Sequence, residues 1–153
     1  MEEQVIETWD INNRINLYML DAIKPETLAD QSSSKGRTVG EQIAHLHNVR
    51  LMWLKASAPE LLVGLEKIEK ESITKDLLRS SLKESGVAIA ALIKKGIDAG
   101  GKVKSFKPHA IAFLGYMISH ESHHRGQIAL ALKQSGHTLD KKIAYGIWEW
   151  GSR

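Results

Sequence analysis

Met117-Ile118-Ser119-His120-Glu121-Ser122-His123-His124-Arg125-Gly126-Gln127 is the stretch around which the rest of the chain is organised. Read outward from it, Phe113, Met117, His120, His124, Ile128 and Ala131 follow one another at steps of three or four, the period of one helix face. A face of that kind is buried against other helices, yet it carries two histidines four residues apart. On an α-helix such a pair stacks on one side, close enough for both imidazoles to reach one ion. Each buried imidazole needs partners for both ring nitrogens, and two charged rings aimed at one volume would repel. A shared cation answers both demands by taking a lone pair from each ring. The alternative is a pair of core histidines satisfied by neighbouring hydrogen bonds.

The surrounding chain reads as helices throughout. A first helix runs from about Glu2 to Ile23, with Ile11, Ile15, Tyr18 and Ala22 at helical spacing, and Lys24-Pro25 stops it. The polar run Asp30–Arg37 is a turn. Thr38-Val39-Gly40-Glu41 has the form of a capping box, opening a second helix from about Val39 to Lys55 that carries Ile43, Leu46, Val49, Met52 and Trp53. Residues 60–71 form a connection with room for a helical turn. A third helix starts near Ser72 or Thr74 and reaches Ile97, its apolar side built from Leu77, Leu78, Leu82, Val87, Ile89, Leu92 and Ile93. Gly86 and Gly96 weaken its interior and its end. Residues 103–106 are too few to argue a sheet. Pro108 suits the first turn of a fourth helix, which runs to about Gln134 and ends on Gly136 as a left-handed cap. In the tail, Ile147, Trp148 and Trp150 are expected to pack onto the bundle. Four long helical patterns without strand alternation argue an all-α, four-helix bundle over residues 1–153, a single domain with a short C-terminal tail packed on it.

Composition narrows the function. With 153 residues, 25% of them charged, and a formal net charge of +3, the chain has an ordinary globular balance. Its lysines and arginines are interleaved with acids, as in Glu66-Lys67-Ile68-Glu69-Lys70-Glu71, so the expectation is a solvated mixed-charge surface and no nucleic-acid partner. No apolar run approaches the roughly 18 residues of a membrane span, and Met1-Glu2-Glu3-Gln4 lacks the layout of a secretory signal. A cytoplasmic protein with no membrane partner is expected. There are no cysteines, which removes disulfides, thiolate metal ligands and a protein thiol nucleophile.

The second helix offers His45 and His47 in Ala44-His45-Leu46-His47-Asn48-Val49-Arg50. A third imidazole closing on His120 and His124 would leave a coordination position open, which is the catalytic pattern, since structural zinc sites are closed. Helical phase leaves both residues open. His45 shares a stripe with Glu41, Val49 and Met52; His47 shares one with Ile43, Arg50, Leu51 and Leu54. His120-Glu121-Ser122-His123-His124 also satisfies the HExxH pattern, with Glu121 as general base. The metzincin extension fails, because Gly126 is one position early and residue 130 is leucine. The gluzincin arrangement needs a downstream glutamate, and only Asp140 and Glu149 are available, the latter among tail tryptophans, so a metalloprotease is disfavoured.

Two motifs now on the page resemble the DinB/YfiT-like superfamily of four-helix-bundle metal-binding proteins. The stretch Thr38–Trp53 is similar to that family's second helix, with a histidine after a T-V-x-E opening. His120-Glu121-Ser122-His123-His124-Arg125-Gly126-Gln127 is similar to its H-x-x-H-H-R-G-Q signature. The resemblance implies metal ligands at His45, His120 and His124, with His47 as the possible substitute for His45. It implies a neighbouring non-ligand at His123 and supporting positions at Arg125 and Gln127. Glu121 is no family requirement, and its catalytic role rests on the motif alone. The implied cofactor is a divalent metal ion, zinc or nickel, and the implied assembly a homodimer. The implied activity is transfer of a low-molecular-weight thiol to small electrophiles, or hydrolysis, with a small-molecule substrate. A non-catalytic metal-binding or stress-related binding protein of the same fold is the alternative. Outside the motifs, His109 reads as a cap or surface residue and His137 as a loop residue. Trp9, Trp53, Trp148 and Trp150 read as packing residues, and Arg50 and Arg125 as salt-bridging ones.

Overall fold

Side-chain caps start three of the four long helices in the computed structural model, which describes residues 1–153. Helix α1 (Glu2–Ala22) begins with two acids in its first turn, favourable to the helix dipole, and ends where Ile23 turns extended before Lys24-Pro25. Helix α2 (Val39–Ser57) has the full capping box: Thr38 Oγ1 accepts from Glu41 N at 3.2 Å, and Glu41 Oε2 accepts from Thr38 N at 2.8 Å. Helix α3 (Lys75–Asp98) is capped by Thr74. Helix α4 (Ala110–Gln134) is capped by the ring of His109, which accepts from Ala112 N at 3.1 Å. Pro108 therefore precedes α4 instead of occupying its first turn, because the imidazole already satisfies one of the free N–H groups there. Gly136, at φ +82°, closes α4 in the left-handed region.

Two apolar clusters order these helices. One gathers Met19 and Leu20 of α1, Val39 to Leu46 of α2, Leu78 and Leu82 of α3, and Ile128 to Leu132 of α4. The other gathers Val5 and Trp9, Leu54, Ile89 to Ile93, and Ala110 to Met117. Helices α2 and α3 both enter through the first cluster and leave through the second, while α1 and α4 run the opposite way. The topology is up-down-down-up, and the connection from Ala58 to Thr74 returns along the bundle. Short 3₁₀ turns at Pro59–Leu62 and Lys70–Ser72 lie within it. Asn48 of α2 clamps this return: its Oδ1 accepts from Ile68 N at 2.9 Å and its Nδ2 donates to Ile68 O at 3.0 Å. No strand forms, and no helix is long and apolar enough to cross a membrane.

Between the clusters lies a polar layer to which every long helix contributes. Arg50 and Glu121, both fully buried, form an ion pair at its centre. Arg50 Nη2 also donates to Asn13 Oδ1 at 2.8 Å, and Nη1 donates to Leu82 O and Ser85 Oγ at 2.9 and 3.1 Å. Glu121 Oε1 accepts from Asn16 Nδ2 at 3.0 Å and Asn12 Nδ2 at 3.4 Å. Arg125 donates to Asn12 Oδ1 and Asn16 Oδ1 at 2.9 and 2.7 Å. Trp9 closes the layer, with its ring 4.9 Å from the Arg50 guanidinium carbon and its Nε1 donating to Gly86 O at 2.8 Å.

Several expectations are corrected by this layer. The inward face of α1 is not the purely apolar stripe of Ile11, Ile15, Tyr18 and Ala22; Asn12, Asn13 and Asn16 are buried beside Trp9 and Ile15. Gly86 does not merely weaken α3. A Cβ there would stand 2.3 Å from Asn13 Nδ2, so glycine is what lets α1 approach. Met52 and Val87 are exposed, since each helix buries a narrower arc than its apolar residues span. In the tail, helix α5 (Lys141–Gly146) leads Ile147 onto the first cluster and leaves Trp150 half-buried, but Trp148 is 71% exposed.

The layer makes a stability prediction. Glu121→Ala leaves the Arg50 guanidinium buried without its counter-charge, a change that destabilises by about 3–5 kcal/mol. Urea denaturation should show a midpoint lowered accordingly; a loss below about 1 kcal/mol would mean that water replaces the carboxylate at no penalty.

Candidate metal centre

His120 and His124 lie one turn apart on α4, and α2 brings His45 against them. His45 Nε2 and His120 Nε2 stand 3.3 Å apart. Ring centroids are 4.6 Å apart for His45–His124 and His120–His124, and 5.3 Å for His45–His120. One nitrogen from each ring lies within 4.8 Å of the other two, a grouping able to hold a metal ion. The capping box positions His45, because it fixes where α2 begins. On α4 the flanking Glu121 and Arg125 are locked into the polar layer, which fixes the rotation of the helix and turns residues 120 and 124 toward α2.

Burial disfavours the charged form of all three rings. Burial, with the charges of Arg37 and His120 nearby, pushes His45 down from 6.5 to about 4. Burial and the neighbouring histidines push His124 down to about 4 as well. His120 is also lowered, chiefly by burial, with Glu121 opposing. His124 Nδ1 lies 2.6 Å from Gln42 Oε1. An amide oxygen only accepts, so Nδ1 carries the proton and the Nε2 lone pair is left for a ligand role. His120 Nδ1 is buried without a partner.

Of the two histidines of α2, His45 joins the converging group and His47 does not. His47 is buried on the other side of α2, its Nδ1 and Nε2 at 3.1 and 2.8 Å from the carbonyl oxygens of Ser81 and Glu66. Two residues along a helix turn the side chain by about 200°, so His47 faces α3 and the return connection when His45 faces α4. Glu121 is corrected too. Its oxygens are taken by Arg50, Asn12 and Asn16 on the core side of α4, so the general base of the HExxH reading is absent from the histidines. His123 is exposed beside His124 and outside the converging group. His137 is a surface residue paired with Asp30 at 2.6 Å.

Two contributors escaped the sequence reading. Gln42 sits one helical turn before His45, so the same stripe that carries the histidine carries its neighbour's orienting group. Tyr116 sits one turn before His120, its ring nearly parallel to the imidazole at 6.4 Å and 41% exposed. With Trp53, Phe106 and Phe113 it forms an aromatic wall beside the histidines.

A pH dependence follows from the depressed histidines. Above about pH 6.5 both folded and unfolded chains hold them neutral. Between 6.5 and about 4 the unfolded chain takes up protons that the folded one refuses, so stability falls as pH falls through this window. Denaturation midpoints of chelator-treated protein at pH 7.5, 6.0 and 5.0 should decline, and the decline should flatten in the double variant His45→Gln with His124→Gln. An equal decline in both would assign it to other groups.

The comparisons with known proteins come to bear on this geometry. No curated protein matches the chain. Among solved structures it is similar to a DinB-like protein from Bacillus cereus ATCC 10987, with a TM-score of 0.68 over 90% of this chain and 95% of that one. At 19% identity that likeness speaks for the fold alone. The model of the DinB family matches residues 1–148. That span takes in all four helices, the capping box before His45 and the paired histidines of α4, and the chain belongs to the DinB family.

Proposed function

We propose that the protein is a metal-dependent enzyme in which His45, His120 and His124 hold a divalent ion that activates an external thiol, or water, toward small electrophiles. The convergence of one ring nitrogen from each of these three residues carries the reading. The donor set fits such an ion: burial disfavours the charged form of all three rings, Gln42 orients one of them, and His120 Nδ1 is a buried ring nitrogen without a partner. Three imidazoles suit several divalent ions, zinc and nickel among them. When bound, the ion supplies Lewis acidity, lowering the pKa of a thiol or water so that a nucleophile exists at neutral pH. The chain holds no cysteine, so a thiol comes from outside. Gln42 fixes the proton of His124 on Nδ1. Tyr116 and the aromatic wall offer an apolar surface beside the nucleophile and exclude water from that side.

The commitment of Glu121 to Arg50 favours a second reading, a protein of the same site that binds metal without catalysis, because the carboxylate of the His120-Glu121-Ser122-His123-His124 stretch is not free to move a proton. Two measurements test these readings. After incubation with zinc or nickel and dialysis, wild-type protein should retain about one ion per chain by elemental analysis. His45→Ala, His120→Ala and His124→Ala should each lose most of it, while His47→Ala, if folded by circular dichroism, keeps it. A wild-type chain that retains no ion removes both readings. For activity, the readout is consumption of free thiol with an alkyl halide or epoxide across a panel of cellular thiols, beside ester and amide hydrolysis. Turnover abolished by chelation supports the enzyme; silence in both panels leaves the binding protein.

A further inference from the structure

One cleft is lined by His45 and another by Gln42, and one side chain lines both. The first, about 340 Å³, is bounded by Arg37, Glu41, His45, Lys67, Glu69 and Lys70. The second, about 260 Å³, includes Lys35, Arg37, Gln42 and Gln127. In the first cleft the charges cancel in pairs: Lys70 Nζ lies 2.9 Å from Glu41 Oε1, and Lys67 Nζ 3.6 Å from Glu69 Oε1. Arg37 is left over, with no ion-pair partner in the chain. The second cleft has two cations and no acid. Both clefts therefore carry an uncompensated positive charge, and both open beside a histidine or its orienting glutamine.

Arg37 is exposed, yet its backbone is not a free arm. Gln31 Nε2 donates to Gly36 O at 2.7 Å, and Lys35 N donates to Ser32 O at 2.9 Å. Ser33 N donates to Gln134 Oε1 at 2.7 Å, which pins the turn to α4. On the other side Thr38 is fixed by the capping box. The guanidinium lies near enough for its charge to bear on His45, His120 and His124 alike. An arginine in a braced turn, unpaired and facing a cleft, presents a planar fork suited to a carboxylate, sulfonate or phosphate.

Resting on the metal reading above, we propose that Arg37 is a specificity-determining residue that binds an anionic group on the substrate or thiol held at the histidines. The site thereby selects small molecules with a negatively charged group within reach of their reacting atom, over neutral ones of the same size. Tyr116, its ring stacked beside His120, lines neither cleft, so the charged clefts and the aromatic wall are separate neighbours of the histidines.

The test compares 2-mercaptoethanesulfonate with 2-mercaptoethanol, which share a thiol and a chain length and differ in charge. Cobalt-loaded protein is titrated with each under anaerobic conditions, reading the thiolate-to-cobalt absorption band. Wild type should prefer the sulfonate by about three- to tenfold. Arg37→Gln should bring the ratio of affinities close to one, and Arg37→Lys should keep much of it. An unchanged ratio in Arg37→Gln, or no preference in wild type, overturns the proposal. In parallel, metal-free protein is titrated with malonate, following the backbone amides of residues 35–42 by NMR. If cobalt is not taken up, the metal reading fails and this arm decides alone: saturable shifts that vanish in Arg37→Gln uphold the anion site, and their absence overturns it.

Discussion

A guanidinium and a carboxylate, buried together at the middle of a helical bundle, set the terms for the rest of this molecule. Removing two charges from water is expensive, and the expense is offset only when every remaining donor and acceptor finds a partner. Arg50 and Glu121 meet that demand with asparagines from α1, a carbonyl and a hydroxyl from α3, and the ring of Trp9. Apolar packing tolerates small slippage of one helix past another. A layer of directed hydrogen bonds between all four helices does not, so helix register is fixed at mid-height while the two apolar clusters supply most of the burial on either side.

The same layer explains why the histidines meet. On α4, residues 120 and 121 point about 100° apart, as do 124 and 125: one member of each pair enters the polar layer and the other faces α2. Locking Glu121 and Arg125 therefore aims His120 and His124. On α2, Arg50 reaches into the layer while His45 lies on the face toward α4 and His47 on the face toward α3. A single helix thus supplies one anchor to the core, one imidazole to the candidate site and one imidazole to the return connection.

Much of this is legible in the residues. The alternation of three and four through Phe113, Met117, His120, His124 and Ile128 specifies a helix and its buried side, and Thr38 with Glu41 specifies where α2 starts. His109 reads from its place beside Pro108 as a cap or a surface residue, and its ring accepting from Ala112 N makes it the cap. Asn12, Asn13 and Asn16 are hidden from apolar periodicity for a physical reason: polar residues on an inward face carry no apolar signal. Their spacing from Trp9, at three, four and seven, was the available signal. The choice between His45 and His47 was beyond sequence, since both stripes contain apolar and polar residues and only the placement of α3 and α4 around α2 distinguishes them. Trp148 shows the converse, a large apolar side chain left in solvent because α5 is too short to carry it onto the bundle.

One consequence of the mid-height layer concerns how an ion would come and go. In small zinc modules the ligands are scattered in the unfolded chain, and coordination energy is spent assembling them. Here the three rings are already assembled by groups on the far side of their helices, none of which an ion would touch. An ion held by these rings would then spend little of its coordination energy on ordering the chain, because the hydrogen bonds that set the two helices lie elsewhere in the bundle.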